Sequence, residues 1–386
     1  MNLTRGLPWK ILVFVSAVTM IGCRPHGIES RTQSDGATSV GGRPSPDARE
    51  PSTSAECAGA ETMCNGVCVD TQVEIRNCGS CGNACKAVSP STAHCAQGRC
   101  LVTLAFGQRY PGDIAVNSST VFWATTDGVM KIPLEGGLPV MLAVAESAPR
   151  EIAVDATNVY WTEYYRGTIM KAALDSGTPT TLVSGQPGPW GIEVDATTVY
   201  WTNADASLTE ATVMKAALNG GAATALFFGA STSWPAIAVD NMNAYWRDDG
   251  GTVMKIALGG GTPVTLASGQ ANPVSIAIDG SSVYWVNYDS GTVVKVALTG
   301  GTPITLASNQ PHPWGVVVDA TAVYWTNTRL SPPGGGTVMK VLLTGGTPIT
   351  LASGQDCQWP IAVDDSSIYW TNFGVEDGTV MKLTPK

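Results

Sequence analysis

Histidine is the first residue type to count when looking for chemistry. This chain has three, and only His312 lies beyond residue 100. One His cannot divide acid and base work with a second, nor open a two-His metal site. The chain also has no Gly-x-Ser-x-Gly elbow and no His-Glu-x-x-His run. Carboxylates remain: Glu163, Asp205, Asp248, Asp249 and Asp289 are candidates for a carboxylate-based site. Residues suited to recognition are more numerous. They are Arg150, Tyr164, Arg166, Trp190, Trp234, Arg247, Asp248, Tyr288, His312, Trp314, Arg329 and Trp359. Aromatic rings and guanidinium groups dominate binding surfaces because they bury much area with few rotamers. The expectation is a binding protein without a cofactor. Its ligand class is a protein, a peptide or a glycan. An enzyme, a lyase or a metal-dependent hydrolase with a carboxylate-based site, is the alternative.

These residues fall in the irregular parts of a regular chain. A Trp preceded by Tyr or Phe recurs seven times, at Trp123, Trp161, Trp201, Trp246, Trp285, Trp325 and Trp370. Around each lie short runs of β-branched and aromatic residues bounded by Gly, Pro, Asp or Ser. Such runs are strand signals separated by turn signals. A period near forty residues with four strands per unit predicts an all-β, seven-bladed β-propeller over residues 101–386. The Ile-Ala-Val-Asp run, as at 237–240, is apolar almost throughout and suits the innermost strand.

The ends of the array predict how it closes. The last unit stops at Leu383, one strand short. Residues 101–108 (LVTLAFGQ) match the fourth strand found elsewhere, as in 264–270 (VTLASGQ). The N-terminal strand therefore completes the last blade, which removes two exposed edges.

Repeated positions are expected to be scaffold. Each motif Trp buries roughly 150–250 Å², worth ~4–6 kcal/mol as an upper figure. The series Asp155, Asp195, Asp240, Asp279, Asp319 and Asp364, with Asn117 in the first unit, precedes tight turns and should cap them. Lys131, Lys171, Lys215, Lys255, Lys295, Lys340 and Lys382 recur on the third strand and are expected to be solvated or paired. The first-to-second and third-to-fourth connections are uniform. The other two connections vary and carry the aromatic and Arg residues named above. A propeller gathers these variable loops on one face, where function on a rigid scaffold is expected.

The tandem resembles the YWTD propellers of lipoprotein receptors and the related TolB-like and NHL-like bacterial repeats. Tyr-Trp-Thr-Asn, as in Tyr200-Trp201-Thr202-Asn203, with runs of the Ile-Ala-Val-Asp type upstream, carries the likeness. Two departures stand out. The fourth residue is Asn rather than Asp wherever the motif is fullest. YWTD propellers close with six blades, the alternative architecture, whereas seven units are countable here.

Residues 57–100 hold Cys57, Cys64, Cys68, Cys78, Cys81, Cys85, Cys95 and Cys100. Eight Cys in so short a segment predict a disulfide-stapled module whose connectivity stays open among 105 pairings. Its Asn-Cys-Gly-Ser-Cys-Gly core at 77–82 resembles a module of predicted myxobacterial surface lipoproteins. Residues 1–22 read as an export signal, with Arg5 and Lys10 before the apolar run 11–21. The sequence Met20-Ile21-Gly22-Cys23 resembles a bacterial lipobox, which implies lipidation at Cys23 and an outer-membrane lipoprotein of the cell envelope. Residues 23–56 lack the apolar content to fold and are expected to be a tether. The net charge of −9 and the lack of any basic run argue against nucleic acid. Membrane contact is expected through the lipid alone, and the propeller as a monomer. Cys357 is the tenth Cys, left over from the module.

Overall fold

The computed structural model describes residues 57, 61–204, 210–230, 236–248, 250–328, 335–355 and 358–386. The described residues form strands, turns and loops without a helix. Seven antiparallel sheets make a seven-bladed β-propeller, and a two-stranded hairpin lies in the cysteine module.

Blade 1 shows the common plan. Its strands are Ile114–Val116, Thr120–Thr125, Gly128–Pro133 and Val140–Val144, hydrogen-bonded in that order. Blades 2 to 6 begin at Pro149, Pro189, Ile237, Pro273 and Pro313. The first strands of successive blades touch one another all the way round, so they form the hub. Blade 7 comprises Gln358–Val363, Ile368–Asn372 and Gly378–Thr384, and Arg99–Gln108 pairs with the last of these. The chain thus joins its two ends within one sheet.

Packing follows from strand alternation. Neighbouring residues point to opposite faces, so Tyr faces the next blade and Trp the previous one. Between blades 5 and 6, Tyr284 shares a core cluster with Trp325, and between 6 and 7 Tyr324 shares one with Trp370. The same pairing recurs round the ring, with Phe122 against Trp161 between blades 1 and 2. The core is therefore seven interblade layers rather than one central mass.

Polar repeats tie these layers. Tyr245 donates from its hydroxyl to Asp240 Oδ2 at 2.7 Å, while Asp240 Oδ1 caps the turn by accepting from the Met242 and Asn243 N–H groups. Five other blades repeat this, and blade 1 replaces both partners at once, with Asn117 and Phe122. The repeated Lys residues are more committed than the solvated alternative: each reaches a backbone carbonyl of the next blade. Lys215 Nζ donates to Leu258 O at 2.6 Å and Lys382 Nζ closes the ring at Leu134 O. The other five do likewise.

The Asn of the motif also has a structural cause. Asn287 Nδ2 donates to Gln270 Oε1 and to Thr292 Oγ1, both at 3.0 Å. The same Gln270 oxygen accepts Trp285 Nε1–H at 2.9 Å. An Asp could not supply these donors. Blades 3, 6 and 7 repeat the arrangement.

The cysteine module has four disulfides: Cys57–Cys68, Cys64–Cys81, Cys78–Cys95 and Cys85–Cys100. It is fused to the ring rather than hung from it. Thr92–Ala96 adds a fifth strand outside Arg99–Gln108. Ser91 Oγ donates to Leu104 O on the closing strand and accepts from Gly137 N of blade 1. Val88 N donates to Glu135 O. The module therefore grips both sides of the closure between blades 7 and 1.

Candidate functional site

The variable loops join second to third strands and fourth to first strands, at one end of the ring. Two clusters of the expected residues assemble there. In the first, blades 2 and 3 bring together Arg150, Tyr164, Tyr165 and Trp190. Tyr164 meets Tyr165 and Trp190 edge to face, at 5.2 and 5.8 Å between ring centroids. The Arg150 guanidinium lies 5.6, 5.3 and 5.0 Å from the centroids of Tyr164, Tyr165 and Trp190. Such contacts contribute about 0.5–2 kcal/mol each, more when desolvated. Gly188 makes this approach possible, since a Cβ there would run into the Ala204 carbonyl and the Tyr164 ring. Arg166 stands beside the cluster, paired with Glu146 and 3.8 Å from buried Glu163.

The second cluster joins blades 5 and 6. Tyr288 stacks on His312 at 4.6 Å and meets Trp314 edge to face at 5.7 Å. His312 sits at φ 50°, a left-handed conformation that the matching Asn272 (φ 56°) adopts more easily. Tyr110 and Phe373 make a smaller aromatic contact at 5.4 Å.

Other candidates go elsewhere. Arg247 is 3 % exposed, so it is an interior residue and not part of the rim surface. Asp248 is occupied by the Thr252 N–H and hydroxyl groups. Glu163 is buried and takes Trp161 Nε1–H and the Thr168 hydroxyl, which suits a scaffold role. Asp289 is exposed, with Asn272 Nδ2 3.4 Å away. Among the described residues, Glu163, Asp248 and Asp289 therefore do not gather into one site. Cys23, Asp205, Trp234, Asp249, Arg329 and Cys357 lie outside the described residues, as does the Trp359 side chain.

A carboxyl group that does assemble was not expected. Glu151 and Glu193 lie on the first strands of blades 2 and 3, and Asp113 immediately precedes that of blade 1; they line the hub, correcting the view of those strands as almost wholly apolar. Each is half-buried. Burial raises Asp113 to about 7, against backbone N–H groups of Ile152 and Ile114 that lower it. Burial, with repulsion from Asp113 and Glu193, raises Glu151 to about 8, and the Arg247 charge partly offsets this. Burial and Asp113 raise Glu193 to about 7. These groups hold and release protons near neutrality. One scaffold duty is visible: Asp113 Oδ2 accepts Ile152 N–H at 2.8 Å, as Ser275 Oγ accepts Val316 N–H in blade 5. A hydroxyl suffices for that bond, so the charge is surplus. The signal was present in the sequence. Glu193 replaces the Ala of Ile-Ala-Val-Asp, and Asp113 and Glu151 precede that run where other blades carry Gly, Ala, Ser or Pro. Among the described residues, only Cys78, Cys85 and Cys100 bring three ligand atoms within 4.8 Å, and all three are in disulfides.

Known proteins resemble this chain in two separate regions. Residues 48–103 match the stigma-specific STIG1-like protein family, which covers the cysteine module and the start of the closing strand. No curated protein matches the chain. Solved structures match its propeller. A streptogramin B lyase structure superposes with a TM-score of 0.60 at 14 % identity, covering 74 % of this chain and 96 % of that one. An oligogalacturonate lyase in complex with manganese gives 0.59 at 11 %, covering 78 % and 98 %. A nidogen/laminin complex gives 0.50 at 21 %, covering 63 % and 97 %. At these identities the likeness is one of fold: the chain carries a β-propeller of the kind seen in both enzymes and binding proteins.

Proposed function

We propose that this protein is a non-catalytic binding propeller, held at the cell envelope by a lipid on Cys23, that captures a protein, peptide or glycan on its variable face. It works as a monomer and has no nucleic-acid partner. The observation that carries this reading is the pair of rim clusters, Arg150–Tyr164–Tyr165–Trp190 and Tyr288–His312–Trp314. Repeated residues of the ring are consumed by packing and interblade bonds. These clusters are irregular between blades and at least partly open to solvent. Preformed aromatic anchors of this type supply most of the energy at binding surfaces. The nidogen/laminin complex shows the same fold in a binding protein. The test is capture of partners from envelope extract by the intact protein, repeated with Trp190→Ala and Trp314→Ala. Loss of the captured partner in either variant supports the reading. Equal capture by all three overturns it.

A second reading rests on the hub carboxyls. Asp113, Glu151 and Glu193 titrate near neutrality, as acid–base catalysts do. Two structural relatives are lyases, one of them in complex with manganese. Metal analysis of the purified protein separates the readings. A stoichiometric, tightly held metal favours the enzyme.

A further inference from the structure

We propose that Arg150 anchors a carboxylate-binding site on the variable face and that the ligand is an acidic saccharide. The inference rests on the binding reading above.

Arg150 is a clamped cation without a counter-ion. Three aromatic rings hold its guanidinium. Of its five N–H donors, one bonds within the protein, from Nη2 to the Tyr165 hydroxyl at 3.2 Å. Its Nε is enclosed without an acceptor. Among the described residues no carboxylate pairs with it, whereas neighbouring Arg166 pairs with Glu146 and Glu163. Packing does not require the residue either, since the matching positions carry Gly112, Val274 and Trp314. A guanidinium already fixed in place loses little freedom on binding, and its fork matches a planar carboxylate.

The surroundings favour a saccharide over a peptide. Tyr165 is 74 % exposed at the edge of the cluster. Its ring can cover the C–H face of a pyranose while hydroxyls at the sugar edge stay solvated. A peptide docking by its main chain needs an open strand edge. Here the N–H groups of Gly167, Gln186 and Ala204 are already bonded to carbonyls of the same loops.

The experiment is an array of uronate- and sialate-bearing oligosaccharides, each beside its neutral counterpart, with acidic peptides on the same surface, probed with the intact protein. Binding should favour acidic over neutral saccharides by about tenfold or more. Arg150→Gln should remove that preference while far-UV dichroism and a cooperative thermal transition show the propeller still folded, and Arg150→Lys should not restore it. Equal binding to acidic and neutral sugars overturns the inference, as does an Arg150→Gln variant that keeps the preference. Arg150-dependent binding confined to peptides overturns the saccharide class. Capture from envelope extract separates this from the parent reading. A partner lost with Trp314→Ala but kept with Arg150→Gln leaves the binding face standing and removes the carboxylate site.

Discussion

Asn287 donates its amide to Gln270 across the boundary between blades 4 and 5, at 3.0 Å, onto the oxygen that also receives the Trp285 indole N–H. One Gln side chain thus satisfies two buried donors of the next blade. This explains why Asn stands in blades 3, 5, 6 and 7 where related repeats have Asp.

Asn287→Asp should destabilise the propeller by about 1–3 kcal/mol, because the carboxylate opposes the Gln270 oxygen and leaves its partners unmatched. The loss should shrink in acid, where a protonated Asp can again donate. Equal destabilisation at pH 4 and pH 8 would count against this account.

The Tyr–Asp pairs predict an acid limit. Burial alone would raise Asp155, Asp195, Asp240, Asp279 and Asp364, but hydrogen bonds from Tyr hydroxyls and turn N–H groups hold all five below the usual range. Asp319 is lowered too, with Lys386 added to its partners. A depressed pKa gives stability that is present above the unfolded value near 4 and is lost as pH falls through the folded value. Thermal stability should therefore drop steeply below pH 4. Asp240→Asn with Tyr245→Phe, the combination blade 1 already uses, should lessen the drop.

The hub carboxyls predict the opposite slope at higher pH. Asp113, Glu151 and Glu193 are raised to about 7, 8 and 7, mainly by burial. A raised pKa gives stability that is full below the unfolded value near 4 and is lost as pH rises through 7 to 8. Glu193→Ala, the residue most other blades carry, should stabilise the fold at pH 8.5 by on the order of 2 kcal/mol and much less at pH 5. Thermal melts at the two pH values check it. A gain of the same size at both would show that charge is not the cause.

The closure should depend on the cysteine module. Cys85–Cys100 fixes the start of the strand that pairs with Gly378–Thr384. Replacing both Cys with Ser should lower propeller stability by about 2–4 kcal/mol. Removing Cys57–Cys68, at the far end of the module, should leave the propeller transition in place. Deleting residues 101–108 should open the ring and broaden unfolding, read by calorimetry.

Much of this architecture was legible in the residues. Repetition exposed the blades because every blade solves the same packing problem, so Tyr284 and Trp325 could be recognised as scaffold before any contact was known. Closure was legible because 101–108 repeats the fourth-strand pattern. Turn capping by Asp240 followed from local chain geometry, which operates within a few residues. The rim aromatics were legible as exceptions to the repeat.

Relationships across blades were not. Lys215 meets Leu258, and Asn287 meets Gln270, only when strands some 17 to 43 residues apart are stacked in a ring. The hub is the clearest case. Asp113, Glu151 and Glu193 are about forty residues apart in sequence, and the closed ring of first strands alone makes them neighbours and raises their pKa values. The same closure draws Arg247 inside and brings Trp190 of blade 3 onto Arg150 beside Tyr164 and Tyr165 of its own blade. The chain by itself determined the blades, their number and their order, because those depend on local pattern and period. The tertiary structure decided which charges meet, because burial and proximity are properties of the closed ring.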